Sequence, residues 1–399
     1  MSTQPDPVYG AGPVPDAAAF DAVNRETGKA TGLPNPAYTS DRFSVLERDG
    51  LLANTWLCIG AAGALTARGQ ARPVTVLGLP LFMVRDADGI NVFHNVCSHR
   101  GHQLVNLPCR MRGAIRCPYH SWTYGFDGVL KGTPHIGGPG VHAAAGFDKS
   151  LHGLKRIRSE RWMDLVFINL SGDAPPLEAF LAPLADRWRP YLSDDDPSRL
   201  KLASDDDNFT LEIEANWKLA VENFCEAYHL PWIHPGLNRY SRLEDHYQII
   251  EPGHFAGQGT RVYDPVYRNG AEFPEFSGWP ADRRKVAEYI ALFPNVLLGL
   301  HVDHFYAVVL VPVSHNRTRE EMNIYYLDDA ANGDTYRESR RTTREAWRSI
   351  FFEDVGVVEG MQRGRQSPAF GGGAFSPVMD PPTHCFHRWV ASGMLAARP

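Results

Sequence analysis

Two short strings constrain this chain more than any other feature. They are Cys97-Ser-His99 and Cys117-Pro-Tyr-His120, with 17 residues between them. Each follows a strand-like segment, so both would sit on loop tips able to face one another. Two thiolates and two imidazoles make a four-ligand metal site. Zinc accepts that donor set, but zinc fingers pair Cys with Cys and His with His. Here each loop supplies one of each. That split suits a two-iron, two-sulfide centre in which both thiolates hold one iron and both imidazoles the other. Six cysteines in 399 residues are too sparse for a disulfide scaffold. His94, His102, Cys109, His135 and His142 fit no ligand slot and read as surface or packing.

Length predicts two or three domains. With 40 basic and 46 acidic side chains the formal charge is -6, which argues against a nucleic-acid surface. No apolar run reaches the roughly 18 residues of a membrane helix. No apolar signal segment follows Met1. These features predict a cytoplasmic protein without nucleic-acid or membrane partners.

Residues 1–20 read as a poorly ordered arm, and Ser40–Leu57 as a helix. A strand-rich region follows. It includes Val74–Leu77, Leu81–Val84 and Ile90–Phe93, with Asp-Gly turns at Gly89 and Gly128. Leu165–Leu170 reads as a buried strand, and the Ser171–Pro176 stretch as a domain boundary. Beyond it, Leu211–His229 reads as a strand end running into a helix and Asn295–Val313 as strands. Asp334–Gln362 reads as a long helix with Asp334 as N-cap.

A second constellation lies in Asn216–His234. On a helix, Trp217, Val221, Phe224 and Tyr228 form the packing stripe, while Glu226 and His229 are neighbours on the opposite side. His229 and His234 could not share a metal on a regular helix, but Pro231 breaks or kinks the chain between them. On the long C-terminal helix Asp354 falls on the apolar stripe with Trp347, Ile350, Phe351 and Val358. A carboxylate there needs a partner, and a metal is the best one available. Glu353 is turned off the stripe and reads as solvated. Two histidines and one carboxylate with open positions opposite make the facial triad of non-haem iron oxygenases. His301 and His304, three apart in a strand, would face opposite sides and read as pocket lining or packing. The arginine-rich run Arg337–Arg348 reads first as a solvated face and second as a reductase-docking face.

Both constellations, in this order, resemble the large (alpha) catalytic subunit of the Rieske non-haem iron oxygenases, over about residues 40–395. The resemblance rests on CSHRGHQL, CPYHSWTY, NWKLAVENF, Phe293-Pro-Asn295, EDVGVVEGMQRG and Phe386-His-Arg-Trp389. Ser121 departs from the glycine often found there. The resemblance implies that Cys97, His99, Cys117 and His120 hold a Rieske [2Fe-2S] cluster and that His229, His234 and Asp354 hold a mononuclear Fe(II). It implies a homotrimer, with Glu226 bridging His229 to His120 of a neighbouring subunit. The family usually has Asp at that position, and Glu looks like the carnitine/betaine branch.

The implied fold is α+β: an all-β Rieske domain plus a helix-grip-like catalytic domain with a curved antiparallel sheet and long helices. The expected divisions are an arm and helix over 1–50, the Rieske domain over 51–172 and the iron domain over 173–399. No G-x-G-x-x-G or ferredoxin signature is present, so electrons would come from a separate NAD(P)H reductase, alone or through a ferredoxin. The expected activity is O2-dependent hydroxylation of a small organic substrate, with a quaternary or N-methyl amine favoured. Aromatic ring hydroxylation or O-demethylation is the alternative, and a Rieske electron carrier is the alternative from another class. Tyr228, Trp232, Phe293 and Phe305 are candidates for a cation cage.

Overall fold

The computed structural model describes residues 13–192, 199–264 and 270–397. The chain divides into two compact units. Trp56–Leu177 forms one, and the described residues before and after it form the other.

The Trp56–Leu177 unit is built from three small antiparallel sheets. One orders β1 (Leu57–Ala61), β10 (Leu165–Asn169) and β9 (Arg158–Trp162). A second orders β4 (Ile90–His94), β3 (Leu79–Arg85), β2 (Gln70–Val76) and β5 (Cys109–Arg110). The third holds β6 (Ile115–Arg116), β7 (Thr123–Tyr124) and β8 (Leu130–Gly132). Phe82, Phe93, Ile115, Trp122 and Tyr124 form its core, and Cys97 and Cys117 belong to that same cluster. The two thiols are therefore part of the packed interior.

The other unit carries one antiparallel sheet. Its path is β11 (Leu200–Leu202), β18 (Arg317–Leu327), β17 (Phe305–Ser314), β16 (Val296–Leu300), β15 (Ala287–Leu292), β14 (Phe255–Thr260) and β13 (His246–Glu251). β12 (Phe209–Ile213) also pairs with β18. β15 and β16 are buried at every residue. Continuous burial of this kind marks a strand covered on both faces. Helices α1 (Pro36–Thr39), α2 (Asp41–Glu47), α4 (Trp217–Phe224), α6 (Arg337–Gly364) and α7 (Pro381–Ala396) belong to this unit, and α3 (Leu177–Leu192) leads into it. α6 has 28 residues, which makes it about 42 Å long. Among the described residues no helix is long and apolar enough to cross a membrane.

Several expectations need correction. The helix expected over Ser40–Leu57 is the short α2 followed by a wider turn over Arg48–Leu52, and Leu57 already opens β1. Gly50 in that turn comes against Ala397, where a side chain would collide. Asp334 does not cap the long helix. A 3-10 turn, Asp334–Tyr336, precedes it, and Asp334 pairs with Arg337. Of the expected arm, residues 1–12 lie outside the described residues, whereas Phe20 is fully buried. Arg341 lies on a solvated face between Glu338 and Glu345, but Arg340 is buried with its Nε 2.7 Å from Asp207.

A buried ion network ties the helices together. Lys218 Nζ lies 2.7 Å from Glu47, and both side chains are inaccessible. Glu222 receives the Tyr38 hydroxyl, Arg365 at 3.1 Å and His387 at 3.2 Å. Burial pushes the Glu222 carboxyl up, but His387, Arg365 and Tyr38 outweigh it and depress its pKa from 4.5 to about 2. A depressed carboxyl stabilises the fold above its unfolded pKa and loses that contribution as pH falls through the folded value. The shift corresponds to about 3 kcal/mol. Denaturant titrations from pH 6 to pH 2 should show this loss below pH 4.5, and Glu222→Gln, though less stable throughout, should lack that component. An unchanged pH slope in the variant would assign the acid sensitivity elsewhere.

Candidate active site and metal centres

The first donor set sits on two loops of the same design. One follows β4 and the other follows β6. Gly101 N–H donates to Cys97 O at 3.1 Å, and Ser121 N–H donates to Cys117 O at 3.0 Å. Cys97 N–H and Cys117 N–H close the loops onto His102 O and Trp122 O, each at 2.8 Å. The closing residue of each turn is left-handed, with φ of +75° at Gly101 and +57° at Ser121. Glycine accepts that conformation freely, whereas another L-residue is strained by about 1 kcal/mol. The glycine common in the family thus has a conformational reason, and Ser121 is tolerated at modest cost.

Cys97 and Cys117 point inward and are buried. The Tyr124 hydroxyl lies 3.1 Å from Cys97 Sγ, and Tyr119 and His120 direct backbone N–H groups at Cys117. Burial nonetheless pushes the Cys117 thiol up, so its thiolate lacks enough compensation from the protein alone. His99 and His120 lie at the outer edge, ring centroids 4.7 Å apart, with His99 stacked on Trp122 at 4.6 Å. His120 Nδ1 is buried with no hydrogen-bond partner. Two inward sulfurs, two outward imidazoles and an orphaned ring nitrogen fit a cluster with one thiolate-bound and one imidazole-bound iron.

The second donor set is assembled from two elements. α4 ends at Phe224, so Glu226 and His229 lie in the turn beyond it rather than on a helix face. Tyr228 leaves the packing stripe for the same reason and is 46% exposed. Pro231 does not break a helix. It sits in the first turn of a new short one, α5 (Leu230–Ile233), where its fixed φ suits the start. His229 caps the front of α5 and His234 its end, and their rings lie 5.1 Å apart. α6 delivers Asp354 to the same point. Its Oδ1 is 3.0 Å from His234 Nε2 and 3.7 Å from His229 Nε2. The ligand atoms of all three residues lie within 4.8 Å of one another. Asp354 Oδ1 is buried and makes no aligned hydrogen bond. A buried carboxylate oxygen facing two imidazole nitrogens fits a cation.

Both histidines are backed by carboxylates. His229 Nδ1 lies 2.6 Å from Glu226, and His234 Nδ1 lies 2.7 Å from Glu353. Such contacts fix the tautomer with Nδ1–H toward the carboxylate and the Nε2 lone pair free for metal. Burial lowers the pKa of His234, but Asp354 and Glu353 outweigh it and raise it overall. Glu353 is therefore not a merely solvated residue, although its side chain is 40% exposed. Its adjacency to Asp354 was the available signal: on a helix the two diverge, and only the placement of His234 between them joins their roles. Glu353→Ala should lower iron affinity by roughly 10–100-fold, the usual cost of losing such a backing contact. Iron titration of the apo-protein checks this, and wild-type affinity would reduce Glu353 to a surface residue.

A cavity of about 60 Å³ adjoins the three ligands. Phe224, Tyr289, Tyr306, Trp347 and Phe351 supply aromatic walls. Tyr306 and Trp347 rings are 4.6 Å apart. His246 closes another side, with Nδ1 2.6 Å from Gln258, whose amide donates to Glu226 O at 2.9 Å. Burial lowers the His246 pKa and favours its neutral form. Nearby on β18, Glu320 is pushed up to about 8 by burial, assisted by the charge of Asp354.

None of the four expected cage residues lines this cavity. Tyr228 and Trp232 are exposed, while Phe293 packs on Phe386 and Phe305 on Trp188. Sequence reasoning missed the actual walls because they come from separate strands and from α6. His301 and His304 are buried packing and lining residues as expected, but they do not face opposite sides. They occupy the turn between β16 and β17, where His301 N–H donates to His304 O at 3.0 Å. The reversal puts both rings on one side, stacked at 4.3 Å.

The chain matches the family model for the Rieske [2Fe-2S] domain over residues 55–144. It matches the model for the ring hydroxylating alpha subunit (catalytic domain) over residues 200–396. The carnitine monooxygenase oxygenase subunit of Acinetobacter pittii is 28% identical over 354 residues, 85% of this chain and 86% of that protein. The glycine betaine monooxygenase oxygenase subunit of Chromohalobacter salexigens is 28% identical over 422 aligned positions, 96% of this chain and 91% of that protein. Among solved structures, a quaternary ammonium Rieske monooxygenase in complex with gamma-butyrobetaine superposes with a TM-score of 0.74 at 22% identity, covering 97% of this chain and 100% of that one. Naphthalene 1,2-dioxygenase from Rhodococcus sp. gives 0.68 at 21% identity, covering 92% and 95%.

Proposed function

Because this chain belongs to the Rieske non-haem iron oxygenases, as their large catalytic subunit, we propose that it hydroxylates the N-methyl group of a small quaternary or N-methyl amine. The cofactors are a Rieske [2Fe-2S] cluster and a mononuclear iron, and electrons come from a separate reductase. Together the two metal centres supply oxygen binding and stored electrons. The chain supplies everything else. In this reading Cys97, His99, Cys117 and His120 hold the cluster. His229, His234 and Asp354 hold the iron from one side and leave the aromatic cavity open to the substrate.

The observation that carries the substrate class is the set of aromatic walls beside the ligands. A cation over such rings gains roughly 0.5–2 kcal/mol, more as water is excluded. Size supports the same choice. A cavity of about 60 Å³ walled by aromatic rings suits a compact head group. A trimethylammonium group is of that kind. The balance is one O2, two electrons and two protons: the C–H becomes C–OH, and the second oxygen leaves as water. A hydroxymethyl amine then loses formaldehyde.

The reading includes a homotrimer in which Glu226 links His229 to His120 of a neighbouring subunit. Exposed apolar side chains adjoin both ligand sets in sequence: Tyr119 precedes His120, Tyr228 precedes His229 and Phe352 lies two residues before Asp354. Apolar surface of this kind suits burial between subunits. It also includes a cytoplasmic location, where NAD(P)H reductases work. The test is turnover with a reductase, NADH and O2 on choline, glycine betaine, carnitine and methoxy-aromatics. Formaldehyde or hydroxylated product from an N-methyl amine is expected. Turnover of the methoxy-aromatics alone would sink the amine assignment.

A further inference from the structure

The iron-side cavity has a neighbour. A second cavity of about 190 Å³ is lined by Tyr263, Phe273, Asp303, His304, Ser339 and Thr343, among others. Trp347 is the one residue, among those described, that lines both. Its indole is the shared wall.

That wall is held by a buried relay. Trp347 Nε1–H donates to His304 Nε2 at 3.0 Å. An accepting Nε2 puts the ring proton on Nδ1, which lies 2.7 Å from Asp303 Oδ1. Asp303, His304 and Trp347 are each 2% exposed. The imidazole is kept in plane by its stack on His301. The indole is flanked by Tyr306 at 4.6 Å and by Tyr263, parallel to it, at 6.1 Å. The hydrogen bond at its polar edge and the Tyr306 ring beside it hold the Trp347 indole in this position. Leu237 and Ile350 line both the iron-side cavity and an open groove.

We propose that Trp347 sets how far the substrate pocket extends toward the second cavity, and that Asp303 and His304 are positioning residues that hold it there. The pocket therefore accepts a compact ammonium head and rejects one that needs space on the Trp347 side. This rests on reading the iron-side cavity as the substrate pocket.

Symmetric probes test it, because they grow on every side at once. The metal-loaded protein is titrated calorimetrically with tetramethyl-, tetraethyl- and tetrapropylammonium ions. Tertiary alcohols of matching branch length serve as neutral counterparts. Wild type should bind the smallest member and reject the largest. Trp347→Leu should raise the tetrapropyl-to-tetramethyl affinity ratio at least ~10-fold, the low end of what one methylene is worth in a tight pocket. His304→Phe keeps the stack but loses both hydrogen bonds, and should shift the ratio the same way. Asp303→Ala should follow it. Asp303→Asn, whose amide oxygen still accepts Nδ1–H, should keep the wild-type ratio. An unchanged ratio in Trp347→Leu overturns the partition, and a shift there without one in His304→Phe overturns the relay. If the alcohols show the size limit and the ammonium ions do not bind, the amine reading falls and the partition stands. Failure of both series to bind wild type overturns the partition as well.

Discussion

Asp354→Ala should leave the protein with an intact cluster spectrum, no mononuclear iron and no turnover. Among the described residues, Asp354 is the one anion facing His229 Nε2 and His234 Nε2, with Oδ1 at 3.7 and 3.0 Å. Without it, two neutral imidazoles remain, and a ferrous ion loses both a ligand and its charge compensation. The loss should exceed the roughly 10–100-fold that removing an outer backing contact costs. Iron analysis should fall from about three to about two per chain, the number a [2Fe-2S] cluster holds. The reduced cluster's EPR signal should be unchanged, since Cys97, His99, Cys117 and His120 belong to a separate compact unit. Full iron content with normal turnover would remove Asp354 from the ligand set.

Glu226→Gln should keep both metal centres and stop communication between them. Glu226 does two things in this chain. One carboxylate oxygen meets His229 Nδ1 at 2.6 Å, and the other accepts the backbone N–H of Tyr228 and of His229. Glutamine can still accept one of these contacts, but its amide nitrogen then faces donors, and the negative charge is gone. The iron should bind more weakly without being lost at saturating metal. Bridging to a neighbouring subunit's cluster histidine needs an acceptor that serves two imidazoles at once. The expected result is a reduced cluster that persists on mixing with O2 and substrate, with single-turnover product down at least 100-fold, about 2.7 kcal/mol on the barrier. Coupled turnover at the wild-type rate would end the bridging assignment.

How much of this was legible beforehand follows from distance along the chain. Cys97, His99, Cys117 and His120 lie in two tight loops, so ligand type and spacing are local properties that a reader of the sequence can see. The strands on either side, with their Asp-Gly turns, were legible for the same reason. His229 and His234 were legible as a pair, yet the local path between them was not. The reading ran one helix to Pro231 and had it broken or kinked there, whereas α4 already ends at Phe224 and α5 begins afresh with Pro231 in its first turn. Periodicity extends a helix as long as apolar residues keep appearing, and only packing says where it stops.

Features that need two distant segments to meet were beyond the sequence. Glu353 is one, because its partner His234 lies 119 positions away. The pocket walls are another, since Tyr289, Tyr306 and Trp347 each look like ordinary core residues in their own element. The pairing of Glu47 with Lys218, 171 positions apart, is a third. The sequence by itself determined the donor chemistry, the α+β class and the order of the two centres, because ligand type and local periodicity are written residue by residue. The tertiary structure alone decided which carboxylate backs which histidine and how large the cavity is. It also decided that a buried Asp303–His304 pair holds Trp347 at its wall, because each depends on side chains that become neighbours only once the sheet and α6 have packed together.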